Sequence, residues 1–312
     1  MVTRSDLYAA RERLSPHILS TPVTFDDKLG AWIKWENHQH TKSFKVRGAF
    51  NKMMALSADE LSGGLIAASA GNHGQAVGLA AQKLKARVTV YVPESAARVK
   101  VEKMIEFGVK VVSVPGFFAE AEAAAIRAAR QQGKTFISPY NDPFIIAGAG
   151  TVAFDLAEQC PQADQWLAPV GGGGLIMGMM IAAPENVKVI GVQSDASAYL
   201  YQEFHHGNMS AVAELPSLAE GLAGAVEPGS ETIPAIHNAA DMRLVTEEQI
   251  ARAIAYAYHA HGEVIEGSAA VGLAALLGGQ LRGEGRTALL ITGGNIDPDR
   301  HKAICDQIDI YR

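Results

Sequence analysis

Apolar residues gather in short continuous runs along most of the chain, and the segments between these runs carry apolar positions three and four residues apart. Runs at 31–35, 65–69, 88–92, 109–114, 135–138, 166–170, 187–192 and 287–292 have strand length and predict buried β-strands. Segments 75–85, 96–107, 117–131, 145–160, 246–262 and 268–279, together with the helix opened by the glycines near 171–174, predict helices. A further helix is expected within the first 16 residues, and Thr21-Pro22 breaks the chain after it. Strands alternating with helices of this length imply parallel βαβ units, so the fold class is α/β with open, mostly parallel twisted sheets flanked by helices. The stretch 204–240 is less regular, with Pro216 and Pro228 as breaks.

Composition narrows the picture. A chain of 312 residues with 48% hydrophobic content buries a large core and suits two domains. A net charge of −6 with no basic run argues against nucleic acid or an anionic membrane as partner. No apolar run reaches the roughly 20 residues that a membrane span needs, and the N-terminus lacks the apolar centre of a signal peptide. Cys160 and Cys305 are too few for a disulfide framework and sit in no metal-ligand spacing, so a reducing cytoplasm is expected.

Three polar or glycine-rich stretches carry candidate chemistry. In His40-Thr41-Lys42-Ser43-Phe44-Lys45-Val46-Arg47-Gly48-Ala49, Ser43 is a candidate N-cap, and the positive helix end disfavours an ammonium at Lys45. A neutral, desolvated lysine is what Schiff-base chemistry with an aldehyde requires; a solvated lysine on a first helical turn is the other reading. Pro169-Val170-Gly171-Gly172-Gly173-Gly174-Leu175 joins a strand to a helix, where several N–H groups and the helix dipole can hold one anion, although a glycine run is also a flexible turn. Ser69-Ala70-Gly71-Asn72-His73-Gly74 likewise joins strand to helix and suits a carboxylate, or serves only as a capping turn. The run lacks both the Lys-Ser/Thr pair of a Walker loop and the spacing of a dinucleotide fingerprint.

Together with Thr292-Gly293-Gly294-Asn295, these stretches resemble, in the same order and over nearly the whole chain, the pyridoxal-phosphate enzymes of fold type II, the tryptophan-synthase-β-like family, in its threonine dehydratase and serine racemase branch. The resemblance implies that Lys45 is the Schiff-base lysine and that Gly171, Gly172, Gly173, Gly174 and Leu175 hold the phosphate of pyridoxal 5′-phosphate. It implies that Phe44, Asn72, Gly221, Glu266 and Thr292 also meet the cofactor, Asn72 at the pyridine hydroxyl and Thr292 at the pyridine nitrogen, with Glu266 as a second candidate at that nitrogen. It implies substrate binding by Ser69, Ala70, Gly71, Asn72 and His73. It implies a small domain of residues 53–139 inserted into a large one of residues 1–52 and 140–312, and a homo-oligomer.

The expected activity is elimination of ammonia from a β-hydroxy L-amino acid such as threonine or serine. Ala70 stands where serine racemase has a second serine that exchanges a proton, which favours elimination over racemisation. A neutral hydroxyl at Thr292 stabilises a pyridinium less than a carboxylate would, which also favours elimination. A racemase or a β-replacement synthase is the alternative within the family, and a noncatalytic small-anion-binding protein is the alternative outside it. Lys42 stands where relatives usually have glycine, Ala149 where Gly-Gln-Gly-Thr is common, and Glu220-Gly221 where Asp-Gly is usual. Gln193 and Tyr199 occupy the places of two acidic ligands in metal-binding relatives, so no such metal site is expected. With nothing after Arg312 to form a regulatory amino-acid-binding domain, no feedback inhibition is expected.

Overall fold

The computed structural model describes residues 1–281, 285–308 and 310. The apolar runs become strands, and where both faces of a strand are covered the run is continuous. Strands β1 (Val23–Asp26), β2 (Ala31–Trp35), β3 (Leu65–Ala68), β4 (Val88–Pro93), β5 (Lys110–Val114), β6 (Thr135–Ile137), β7 (Gln165–Pro169), β8 (Lys188–Ser194), β9 (Asp241–Val245) and β10 (Thr287–Ile291) form two sheets. One has the order β1-β2-β10-β7-β8-β9, parallel throughout except for the antiparallel β1–β2 pair. The other, β5-β4-β3-β6, is wholly parallel.

The helices are α1 (Arg4–Leu14), α2 (Lys45–Met54), α3 (Ala58–Gly63), α4 (Asn72–Leu84), α5 (Arg98–Glu106), α6 (Phe118–Gln132), α7 (Pro143–Gly150), α8 (Val152–Gln159), α9 (Gly174–Ala182), α10 (Tyr199–His206), α11 (Thr232–Ala235), α12 (Glu247–His261), α13 (Gly267–Leu277) and α14 (Pro298–Gln307). Side chains alternate across each sheet. Trp166, Ala168, Ala288 and Leu290 face one core with α1, α7, α8 and α9, whereas Leu167, Leu289 and Ile291 face another with α12 and α13. In the smaller sheet Leu65 and Ala67 pack toward α2 and α4, and Ile66 and Ala68 toward α6.

Several expectations are corrected. The single helix expected over 145–160 is two, α7 and α8, divided at Thr151. Its hydroxyl donates to Gly148 O at 2.7 Å and accepts from Arg47 Nη1 at 3.2 Å, a local bond of the kind that bends helices. Strands β1 and β9 and helices α3 and α14 were not expected. Both strands are sheet edges with mixed burial and therefore lack a clean apolar run. A signal for α14 did exist, since Asp297 caps it and Pro298 is its first residue.

Helix α2 is seated on a buried charge cluster. Arg47 Nε and Nη2 donate to the two oxygens of Glu36 at 2.8 and 2.9 Å, and Nη2 also reaches Asp155 at 2.5 Å. Thr21 Oγ1 donates to Glu36 at 2.6 Å, and Lys34 Nζ donates to Thr21 O and Gln159 Oε1. Burial disfavours charge on both partners, but the Glu36 and Asp155 carboxylates hold the Arg47 proton more tightly than usual, and Arg47 keeps Glu36 below the ordinary carboxylate range. Removing one partner strands the other charge. Arg47→Met is expected to lower the unfolding free energy by about 3–5 kcal/mol in urea titration, and the double change Arg47→Met/Glu36→Met by less than the sum of the single changes.

Candidate active site

Lys45 is the first residue of α2. The helical residue before it, Phe44, makes no side-chain cap, so the expectation that Ser43 is the N-cap is corrected by one position: Ser43 Oγ accepts from Lys45 N–H at 3.3 Å from outside the helix. The turn is tied to the end of β10, because Phe44 N–H donates to Thr292 O at 3.0 Å and Ser43 bridges Gly293. Thr41 and Lys42 take positive φ values of 57° and 53°, a conformation glycine adopts freely and a lysine only with strain. The Lys42 side chain is exposed.

Lys45 Nζ donates to Pro139 O at 2.9 Å and lies 5.2 Å from the centre of the Phe44 ring. Burial pushes the amine down to about 8, against the pull of the Glu266 carboxylate. Glu266 is itself buried, and burial raises it above the ordinary range. Its Oε1 accepts from Asn72 Nδ2 at 2.5 Å, while Asn72 Oδ1 accepts from Asn295 Nδ2 at 2.8 Å. A Cβ on Gly293 would come within 2.6 Å of that same Glu266 oxygen, so the glycine after Thr292 is what admits the carboxylate. Thr292 is buried.

His73 is buried beside Lys45, and desolvation, helped by the lysine charge, lowers it to about 3. It is therefore neutral, and because Ile137 O can only accept, the Nε2 that lies 3.0 Å from it carries the proton. Ser69 Oγ accepts from Gly71 N–H at 3.0 Å and Gly74 N–H at 2.8 Å, which shapes the turn, with Ala70 and Gly71 at its crest.

The glycine turn lies between β7 and α9. Among the described residues the N–H groups of Gly171, Gly172, Gly173 and Gly174 meet no protein acceptor, so four donors stand ready for an anion. A Cβ on Gly172 would lie 2.5 Å from the Tyr140 ring, one on Gly174 2.5 Å from Tyr140 O, and Gly173 has φ +88°. No larger residue fits this turn. Leu175 is buried in the first turn of α9, and Gly221 N–H donates to Ser268 Oγ at 2.8 Å. A half-buried amine of low basicity and a glycine cup of free donors fit the aldehyde and the phosphate of pyridoxal phosphate.

The sequence reading missed Tyr140, Pro139 and Asn295 as parts of this site. Asn295 lies in the quoted Thr-Gly-Gly-Asn stretch and could have been found there; Tyr140 and a backbone carbonyl give no signal along the chain. Glu220, flagged as a departure, bridges Lys100 at 3.3 Å and Arg300 at 2.5 Å, and Lys103 reaches Asn295 at 3.3 Å. Gln193 accepts from Tyr201 N–H at 2.7 Å, and among the described residues no group of three or more His, Cys, Asp or Glu could hold a metal ion.

A family model described as pyridoxal-phosphate dependent enzyme matches residues 14–293, and the chain belongs to that family. It is 38% identical over 309 residues to an L-threonine ammonia-lyase of Thermotoga maritima, covering 95% of this chain and 76% of the relative. It is 33% identical to the catabolic L-threonine dehydratase TdcB of Escherichia coli strain K12, covering 99% and 97%. The serine racemase structure from Dictyostelium discoideum superposes with a TM-score of 0.86 at 32% identity, covering 95% of this chain and 99% of that one. Among the described residues no helix is long and apolar enough to cross a membrane.

The lowered lysine has a measurable consequence. The rate at which the cofactor-free protein takes up pyridoxal phosphate, followed by the growth of cofactor absorbance, should rise with pH and level off above about 8, far below the ordinary lysine value of 10.5. The linkage has the same sign: between about 8 and 10.5 the unfolded chain holds a proton that the folded lysine has lost, so stability of the cofactor-free protein rises with pH across that window. A midpoint at the ordinary lysine value would mean that Lys45 is solvated.

Proposed function

We propose that the protein is a pyridoxal-phosphate-dependent ammonia-lyase that converts a β-hydroxy L-amino acid, threonine or serine by default, into a 2-oxo acid and ammonia by α,β-elimination. The observation that carries this reading is the Lys45 amine, held by Pro139 O at 2.9 Å, in a site framed by two glycine-rich turns whose glycine N–H groups at 171–174 meet no protein acceptor among the described residues. The names of the relatives, L-threonine ammonia-lyase and threonine dehydratase, support the substrate class. The cofactor, when bound, draws electrons from the substrate's α-carbon.

Every other task falls to the chain. Lys45 Nζ, its basicity lowered by burial, takes the α-proton, and Pro139 O orients the amine. The N–H groups of Gly171, Gly172, Gly173 and Gly174, with Leu175 in the next turn, would hold the phosphate; Phe44 and Gly221 would border the cofactor, Asn72 would serve its hydroxyl and Thr292 its ring nitrogen. The turn of Ser69, Ala70, Gly71, Asn72 and His73 receives the substrate carboxylate, with His73 neutral. Glu266 engages the Asn72 amide, which supports a role in fixing that amide rather than acting at the nitrogen. The two sheets support the division of the chain into 53–139 and 1–52 with 140–312, since β3 to β6 form one sheet and the other strands the second. A cytoplasmic homo-oligomer belongs to the same reading.

Lys45→Ala should lose at least about 10³-fold in 2-oxo acid release across a panel of β-hydroxy amino acids. A wild-type protein that takes up no cofactor would leave the noncatalytic anion-binding reading in its place.

Ala70 offers no proton opposite the lysine, so a single serine enantiomer should yield oxo acid and ammonia with little of the mirror form. Ala70→Ser should raise racemisation relative to elimination, measured by chiral chromatography. Appreciable D-serine from L-serine in the wild type would contradict the assignment of Ala70.

A further inference from the structure

On the far side of the segment that carries Pro139 and Tyr140 lies a cavity of about 390 Å³, within the size range of small-molecule sites. It runs beside β6, the outermost strand of the four-stranded sheet, and none of the active-site residues named above lines it. Ile126 and Ala129 of α6 and Phe136 of β6 supply the apolar part of its lining. The lining carries charge of both signs. Arg130 and Lys134 supply two cations, and among the described residues neither has an ion-pair or side-chain hydrogen-bond partner. Glu227 supplies a carboxylate, held by Asn141 Nδ2, also in the lining.

We propose that this cavity is a second binding site, for a small aliphatic α-amino acid. A carboxylate satisfies Arg130 and Lys134, an ammonium satisfies Glu227, and a short aliphatic side chain covers Ile126 and Phe136. A simple anion would leave Glu227 facing it, and a simple cation would leave the two basic groups unpaired, so the lining selects a molecule that carries both charges. The cavity also touches the glycine cup through one residue: Glu227 N–H donates to Tyr140 OH at 2.9 Å, and the Tyr140 ring packs against Gly172. An occupant that engages Glu227 therefore acts on the residue that lies over the phosphate donors.

The test uses the holoenzyme and L-2-aminobutyrate, which has no β-leaving group. Calorimetry counts all bound equivalents, and cofactor absorbance reports the active site alone. The expected result is about two equivalents per chain, of which one leaves the absorbance titration unmoved. Arg130→Glu and Lys134→Glu should each remove that second equivalent and leave the absorbance titration unchanged; Glu227→Gln should weaken it by about tenfold or more. Butyrate, lacking the ammonium, should not occupy it. One equivalent in the wild type, a second equivalent that survives both charge reversals, or butyrate binding there as tightly as 2-aminobutyrate would overturn the proposal. Loss of the absorbance change alone would instead count against the lyase reading and leave the second equivalent to be judged separately.

Discussion

The bidentate pair between Arg47 and Glu36 is the constraint on which the placement of Lys45 rests. Arg47 is two residues beyond Lys45 on α2, and Glu36 directly follows β2, so the pair fixes the first turn of the helix to the end of a strand. Asp155 and Thr151 bring in α7 and α8 from the other side. A buried ion pair of this kind is weak evidence for stability, because desolvation of both charges opposes their attraction. Its value here is geometric. The planar guanidinium accepts only one orientation of the carboxylate, and the helix cannot rotate to solvate Lys45 without stranding both charges.

Close approach of backbones is the second half of the same design. A Cβ on Gly48 would sit 3.0 Å from Ile145 O, and one on Gly148 only 2.5 Å from Arg47 O, so α2 and α7 meet without side chains between them. Gly150 and Gly178 do the same for α7 and α9, since a Cβ added to either would lie 2.7 Å from the other's backbone. The lysine helix, the helix that follows Tyr140 and the helix that opens at the glycine cup are thereby stacked at minimum separation. Any larger residue at one of these contacts would move the Lys45 amine relative to the free N–H groups of the glycine turn.

The central parallel strands were legible in the sequence because β3, β7 and β10 are buried along their whole length, which makes them mostly apolar. Lys45, the two strand-to-helix turns and Thr292 were legible because each is a local device at a strand or helix end. What the sequence concealed is non-local. Edge strands β1 and β9 have half-exposed patterns; the break at Thr151 depends on an arginine 104 positions away; the Pro139 carbonyl that holds the amine has no side-chain signature. The positive φ of 53° at Lys42 likewise has no signature in the residue itself.

The amine and the Glu266 carboxylate are shifted in opposite directions by one cause. Burial lowers Lys45 and raises Glu266, and although each charge pulls the other back toward ionisation, desolvation outweighs that pull for both. Lys100 and the Asn72 amide also favour the carboxylate, so the proton that leaves Lys45 is not simply handed to Glu266. A charged pair at this point would lock the lysine to the carboxylate and remove its lone pair from chemistry. Keeping the acid occupied by an amide and the amine by a carbonyl holds them apart, since Pro139 O can accept a hydrogen bond from the amine but cannot take its proton. The lysine is thus oriented by a group that leaves its basicity to burial, and burial in turn depends on the helix being unable to turn outward from the Arg47 and Glu36 anchor.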